Sequence, residues 1–223
     1  MPKPKIYGTR SKDPRQLSLD LGIACLRLPS PPPPPPGPSR GRIKDPAFYA
    51  HLLAEGDAIF VSERIVDIRY QYGLRGRPRP PRVLHISLYP AGPYAELSAE
   101  TLEGLKQAAE TIQARPFKVT FDRMMRFERG DEAAAIVLLC SDGKDELTEL
   151  HSAFDPALEK VGLRRNGPHL RFEPHLTLLY DRKVIPETPL DEPITITVRD
   201  FALIHSLYGH TQYDVLGRWP LNG

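Results

Sequence analysis

A four-residue pattern occurs twice in the chain, as His85-Ile86-Ser87-Leu88 and again as His175-Leu176-Thr177-Leu178. Each copy has a histidine, an apolar residue, a hydroxyl residue and a second apolar residue, and each lies in a short apolar run. A β-strand places residues i and i+2 on the same face. Each copy therefore directs its imidazole and its hydroxyl to one face and its two apolar side chains to the core. If the two strands lie side by side, two imidazoles and two hydroxyls line one cleft.

Such a cleft suits phosphodiester chemistry. One histidine can act as a general base and the other as a general acid, while the hydroxyls donate hydrogen bonds to phosphate oxygens that gain charge in the transition state. An ordinary histidine pKa of about 6.5 allows either protonation state near neutral pH. The pattern does not say which histidine is the base. It also leaves open that His85 and His175 only hydrogen-bond neighbouring hydroxyls.

The length of 223 residues is enough for one sizeable domain or two small lobes. The two cysteines, Cys25 and Cys140, provide neither a disulfide framework nor a Cys-x-x-Cys metal site, and the histidines lack partner ligands at metal-binding spacing. No segment resembles a signal peptide or reaches the roughly 20 apolar residues of a membrane span. We therefore expect a cytoplasmic monomer that uses neither a metal nor a cofactor.

The net charge of +2 conceals an uneven distribution. Residues 1–44 contain 9 Lys/Arg and 2 Asp/Glu, whereas residues 45–223 contain 21 and 26. The run from Pro31 to Pro36 prevents a helix or a central strand and favours an extended spacer. The sequence therefore predicts a flexible, basic, proline-rich tail over residues 1–44 and a two-lobed domain over residues 45–223.

One short segment of the tail resembles the peptides with which bacterial proteins dock onto the replication sliding clamp. Its glutamine and leucines suit an apolar groove of a partner, as in other short-peptide recognition. The alternatives are a chance match or a strand that packs onto the domain. The residues concerned are Gln16, Leu17, Leu19 and Leu21.

Basic and aromatic residues beside the two motifs are candidates for contact with a polyanion such as a nucleic acid. Four arginines occur within eight residues just before the first motif, and this run is either a polyanion contact or a solvated loop. Arg171 lies four residues before His175 and either reaches the phosphate or only flanks the strand. Tyr180 either stacks on a base or packs in the core, and the core is the favoured interpretation. The four arginines are Arg75, Arg77, Arg79 and Arg82.

Hydrophobic periodicity predicts three helices and seven strands. The helices cover residues 57–71, 98–114 with Ser98 as N-cap, and about four turns from residue 147 to near Gly162. The strands cover residues 48–53, 82–89, 117–121, 133–140, 175–180, 194–204 and a final strand within 213–221. This order indicates an α+β fold in which two mostly antiparallel sheets line a central cleft and the helices lie outside.

Several separate segments of residues 45–223 resemble the two-histidine (2H) phosphoesterase superfamily, and within it the bacterial RNA 2′,3′-cyclic phosphodiesterases, also called 2′-5′ RNA ligases. Ser87 stands where threonine is commoner in that family, and the hydroxyl is retained. The tail lies outside the family pattern. The segments are both motifs, residues 73–78, 121–123, 136–139 and 171–174, residues 200–203 with Ser206, and residues 213–221.

The resemblance implies a bilobal, duplicated fold that hydrolyses a terminal 2′,3′-cyclic phosphate on RNA to a 2′-phosphate without a metal. It implies that His85 and His175 are catalytic and that Ser87, Thr177 and Arg171 bind phosphate. Some family members also join or cleave 2′-5′ linkages. Two further hypotheses are a module that binds RNA or nucleotides with little turnover, and an adaptor tethered to replication or repair machinery by its tail.

Overall fold

The computed structural model describes residues 45–94, 97–127, 133–163, 172–207 and 211–223. Within these ranges the chain forms eight β-strands and three α-helices. The tail, including Gln16 to Leu21, lies outside them. The strands are β1 (Asp45–Leu52), β2 (His85–Tyr94), β3 (Phe117–Arg126), β4 (Ala134–Asp142), β5 (His175–Asp181), β6 (Thr188–Val198), β7 (Asp200–Leu207) and β8 (Gln212–Pro220). The helices are α1 (Glu55–Gln71), α2 (Ala99–Glu110) and α3 (Lys144–Lys160).

The eight strands form a single antiparallel sheet in the order β6-β3-β4-β5-β2-β1-β7-β8. This confirms the predicted α+β class and the antiparallel pairing. It does not confirm two separate sheets, because ladder hydrogen bonds link all eight strands. At the centre of the sheet, however, β2 and β5 share only one residue pair, Ile86 with Leu176. Four strands lie on each side of this narrow junction.

The three helices pack on one face of the sheet. Ser98 caps α2 as predicted, because its Oγ accepts a hydrogen bond from the Thr101 N–H at 3.1 Å. Buried residues of all three helices join the apolar residues of both motifs in one core. The opposite face of β2 and β5 therefore carries the histidines and the hydroxyls. Within the described ranges, no helix is both long enough and apolar enough to cross a lipid bilayer.

Strand β2 continues beyond the predicted end at Tyr89 and includes Pro90 and Pro93. Proline cannot donate a ladder hydrogen bond and is tolerated where only one side of a strand is paired. Beyond Ile86, β2 pairs with β1 but has no recorded pair with β5. This part of β2 therefore behaves as an edge strand, which explains the prolines.

The alternating segment from Ile194 to Ile204 is two strands, so the prediction of a single strand is wrong. Only Arg199 separates β6 from β7, yet β6 pairs with β3 and β7 pairs with β1. The extended chain passes from one half of the sheet to the other at this residue, and the Arg199 carbonyl accepts the Leu221 N–H at 2.8 Å. A hydrophobic pattern indicates that the chain is extended, but it does not indicate which strand the chain pairs with.

We predict that Gly143→Ala destabilises the fold more than Gly162→Ala. Both glycines have positive φ, +80° and +75°, so a side chain costs about 1–2 kcal/mol at either position. At Gly143 a Cβ would also lie 2.3 Å from the Lys118 carbonyl oxygen, whereas nothing lies within 4 Å at Gly162. Urea denaturation measures the free energy of unfolding of both variants. Equal losses would show that the β4–α3 turn is not held against β3.

Candidate active site

The single pair between the motif strands sets which side chains face each other. Since β2 and β5 are antiparallel and Ile86 pairs with Leu176, the register places His85 across from Thr177 and Ser87 across from His175. All four side chains are half-buried, whereas Ile86 and Leu176 are buried in the core. The structure thus brings together the four residues that the sequence motif singled out.

Both imidazoles are anchored in the same way. Nδ1 of His85 donates to the Val83 carbonyl at 2.9 Å, two residues earlier in the chain. Nδ1 of His175 donates to the Glu173 carbonyl at 2.8 Å, again two residues earlier. Because a carbonyl only accepts, these bonds place the proton on Nδ1 in each neutral ring. Nε2 is then the nitrogen that can exchange a proton with a substrate.

A β-bulge follows the hydroxyl residue in the first motif strand. Ala50 pairs with Ser87 and Tyr49 pairs with Tyr89, so Leu88 is the extra residue. Leu88 and Tyr89 are both buried in the core. A bulge bends its strand and increases the local twist, which directs β2 away from β5 beyond the paired residue.

The second motif strand has the same bulge at the matching position. Val137 pairs with Thr177 and Ile136 pairs with Leu179, so Leu178 is the extra residue. Leu178 and Leu179 are both buried, and the next residue, Tyr180, is 52% exposed. The prediction that Tyr180 packs in the core is therefore wrong. The extra residue shifts the alternation and returns Tyr180 to the face that carries His175.

His85 lies in an aromatic and basic environment. Its ring contacts Phe48 at a centroid distance of 5.4 Å and Tyr213 at 5.3 Å. The Tyr213 hydroxyl lies 3.4 Å from Nδ1 of His85 and accepts a hydrogen bond from the Arg79 guanidinium at 3.0 Å. Burial raises the pKa of Tyr213, although Arg79 opposes this rise, so the hydroxyl is protonated at neutral pH.

These surroundings make His85 a neutral group. Burial of the ring lowers the pKa of His85 from 6.5 to about 4. The hydrogen bond to the Val83 carbonyl stabilises the charged ring and opposes this shift, whereas the charges of Arg79 and His175 add to it. His85 is therefore uncharged near neutral pH and can accept a proton at Nε2.

The surroundings of His175 differ. Its ring contacts Phe127 at a centroid distance of 4.7 Å with an edge-on geometry. The two histidines thus share a motif and an anchor but not an environment.

The loop that begins at Gly73 and contains Arg75, Arg77 and Arg79 lies along β5, at the part of β5 that is not paired with β2. The Arg79 N–H donates to the Leu178 carbonyl at 2.8 Å, and Pro78 forms an isolated bridge with Leu179. At Gly76 a Cβ would lie 2.1 Å from the Tyr180 carbonyl oxygen, so the loop requires glycine there. Of the four predicted arginines, Arg79 contacts the Tyr213 hydroxyl beside His85, while the side chains of Arg75, Arg77 and Arg82 are exposed.

Three site residues have no signal in the local sequence. Phe48, Phe127 and Tyr213 lie far along the chain from the histidines that they contact, and only Tyr213 falls within a segment that resembles the family. Arg171 lies outside the described residues. Within the described ranges, no group of three or more His, Cys, Asp or Glu side chains is arranged to hold a metal ion.

Comparison with solved structures identifies the fold. Escherichia coli LigT in its apo form is similar, with a TM-score of 0.61, 25% identity, and coverage of 81% of this chain and 99% of LigT. E. coli LigT complexed with 3′-AMP has a TM-score of 0.63 at 23% identity, with 81% and 99% coverage. The protein TT0787 of Thermus thermophilus has a TM-score of 0.62 at 23% identity, with 80% and 98% coverage.

The sequence pattern of the 2′-5′ RNA ligase superfamily matches residues 59–208, which include both histidine motifs. None of the curated proteins compared matches the chain. Paired His-x-Ser/Thr strands on a LigT-like sheet define a two-histidine phosphoesterase. The chain belongs to the 2′-5′ RNA ligase superfamily.

We predict that His85 titrates near pH 4 rather than near 6.5. NMR of the ring Hε1 proton, assigned by its loss in His85→Gln, measures the midpoint. The lowered pKa means that the unfolded chain takes up this proton first as the pH falls from 6.5 to 4, so folded-state stability declines over that range. Urea denaturation at pH 7 and pH 5 should show a smaller loss in His85→Gln. A midpoint near 6.5 would contradict the buried environment of the ring.

Proposed function

We propose that this chain hydrolyses the 2′,3′-cyclic phosphate at the end of an RNA strand to a 2′-phosphate, without a metal ion. The observation that carries the proposal is the pair of identically anchored imidazoles, each across from a hydroxyl residue on one sheet face. Family membership supports phosphoester chemistry. The crystal structures of E. coli LigT with phosphate and with 3′-AMP support a phosphate-bearing nucleotide as the ligand.

In the proposed reaction His85 is the general base and His175 the general acid. Neutral His85 takes a proton from water as the water oxygen bonds to phosphorus, and binding of the phosphate anion raises the pKa of His85 towards the working range. The bond from phosphorus to the 3′-oxygen breaks, and protonated His175 gives its proton to that oxygen. Ser87 and Thr177 donate hydrogen bonds to the non-bridging oxygens, and Arg171 adds a positive charge.

The same groups can support 2′-5′ RNA ligation, the activity for which the superfamily is described. In that reaction the 5′-hydroxyl of a second RNA replaces water as the nucleophile. The proton again passes to His85, and the 3′-oxygen again leaves with a proton from His175. The product is a 2′-5′ linkage instead of a 2′-phosphate.

The remaining sequence-based hypotheses form part of the proposal. Basic loop residues contact the RNA backbone, and the protein works as a cytoplasmic monomer. Residues 1–44 are a flexible tail whose segment from Gln16 to Leu21 docks onto a bacterial sliding clamp. A binding module with little turnover and an adaptor are the competing functions, and only the enzyme releases a product. The loop residues are Arg75, Arg77, Arg79 and Arg82.

The deciding experiment is incubation of chelator-treated protein with an oligonucleotide that ends in a 2′,3′-cyclic phosphate. Mass spectrometry shows whether one water has been added, and phosphatase sensitivity shows whether the product is a terminal monoester. Unchanged oligonucleotide with tight binding would favour the binding module. Hydrolysis that requires added metal would contradict the proposed mechanism.

We predict that His85→Ala and His175→Ala each reduce kcat by about 10²–10⁴-fold, the usual contribution of a general acid or base. His205→Gln is the control, because His205 lies on β7 outside both motif strands. Single-turnover kinetics with chelator measures the chemical step, and circular dichroism checks the fold. Near wild-type turnover in either motif variant would contradict the paired-histidine mechanism.

We predict that Ser87→Ala and Thr177→Ala slow the reaction less than the histidine variants. Loss of one donor to a developing oxyanion costs up to about 2.7–4 kcal/mol of transition-state stabilisation, and water replaces part of it at this half-buried site. Ser152→Ala, on the exposed surface of α3, is the control. A loss of thermal stability with unaltered kcat would assign both hydroxyls to structure.

A further inference from the structure

A cavity lies at the far end of β5 from His175. It has a volume of about 680 Å³ and lies between the loop that begins at Gly73 and the turn from Asp181 to Lys183. Tyr180 lines the edge of the cavity. Tyr180 lies five positions after His175, a span of about 17 Å at the usual rise of a β-strand. A few nucleotides of single-stranded RNA can cover this distance.

The cavity is positively charged. The side chains of Arg75, Arg182 and Lys183 line it and are exposed. The one carboxylate in its wall, Asp181, is buried and accepts the backbone N–H groups of Arg75 and Gly76 at 2.6 Å each. Burial alone would raise the pKa of Asp181, but these N–H donors and that of Lys183 lower it. The carboxylate thus holds the loop. Lys183 donates from Nζ to the Tyr72 carbonyl, while the side chains of Arg75 and Arg182 face solvent.

An aromatic side chain lies between the histidine site and the basic cavity. The bulge at Leu178 places Tyr180 on the same sheet face as His175 and Thr177, with half of its surface exposed. Bases of single-stranded nucleic acid stack on exposed aromatic rings, while basic grooves follow their phosphates. The histidine site, the Tyr180 ring and the cations of the cavity therefore lie in one line along β5.

The matching path along β2 lacks these groups. The residue five positions after His85 is Pro90, where the other motif has Tyr180. Ala91 and Gly92 follow it, where the other motif has Asp181 and Arg182. Both strands share the first bulge, and β2 has a second register shift at Ala91, so the two paths match in backbone as far as Pro90 and Tyr180. At these matched positions of the described residues, the aromatic side chain and the cation lie on the β5 path, as Tyr180 and Arg182.

We propose that the RNA strand leaves the histidine site along β5, stacks a base on Tyr180 and places upstream phosphates in the cavity beside Arg75 and Arg182. This inference rests on the proposed function, since a 2′,3′-cyclic phosphate is the 3′ end of its strand. All other nucleotides therefore leave the site on the 5′ side of the last ribose and follow one path. An oligonucleotide should accordingly bind more tightly than a cyclic mononucleotide, which has no nucleotides to follow this path.

The test measures binding and hydrolysis separately, with the full chain. Fluorescence anisotropy records binding of a 5′-labelled hexanucleotide that ends in a 2′-phosphate. Tyr180→Leu should raise Kd by at least about five-fold, the lower end of the effect of removing a stacked base. The double variant Arg75→Gln, Arg182→Gln should reduce the slope of log K against log salt by about 1.4, the value for two single-strand phosphate contacts.

Arg199→Gln is the matched control, because Arg199 is exposed between β6 and β7, and this variant should bind like the wild type. In hydrolysis, the variants should raise KM more for a cyclic-phosphate hexanucleotide than for a cyclic mononucleotide. Hexanucleotide binding that equals the wild type in both variants would overturn the β5 path. If the wild type hydrolyses neither substrate, the proposed function fails, and the binding measurements still decide the path.

Discussion

The pairing of Ile86 with Leu176 is the contact on which the arrangement of the site depends. It is the one recorded ladder pair between the motif strands, and it determines which residue of one strand faces which residue of the other. A shift of one residue would turn every side chain of a strand to the opposite face. The histidines would then point into the core beneath the helices, and the leucines would face solvent. The apolar residues of both motifs prevent this shift, because they belong to one shared core.

A shared motif does not give the two histidines the same surroundings. Both donate Nδ1–H to the carbonyl two residues earlier, in the segment that leads into each strand. The difference comes from elements far apart in the chain. Phe48 of β1, Tyr213 of β8 and Arg79 of the loop surround one ring and lower its pKa. The proposed mechanism needs two unlike protonation states at one pH, and the burial and charges around His85 keep that ring neutral.

The sequence was sufficient to predict most of the strands, the common face of imidazole and hydroxyl within each motif and the Ser98 cap, because these follow from local alternation and local hydrogen bonds. It could not predict the face of Tyr180, since one extra bulged residue reverses the alternation. The break at Arg199 was missed because the apolar residues on both sides of it indicate an extended chain. They do not indicate which strand each segment pairs with. Phe48 and Tyr213 were missed for a related reason. Their contact with His85 exists only once β1, β2, β7 and β8 have paired.

The bulges that open the junction are themselves held by other parts of the fold. The Leu88 carbonyl accepts a hydrogen bond from Nδ1 of His151 on α3 at 2.6 Å, and the Leu178 carbonyl accepts the Arg79 N–H from the loop. The His151 ring also stacks on Phe172, three residues before His175. One helix thus contacts the bulge of the first motif strand and the entry to the second. Because a bulge leaves ladder groups without a strand partner, such donors keep it in place, and the separation of the two motif strands is set by the helix and the loop together.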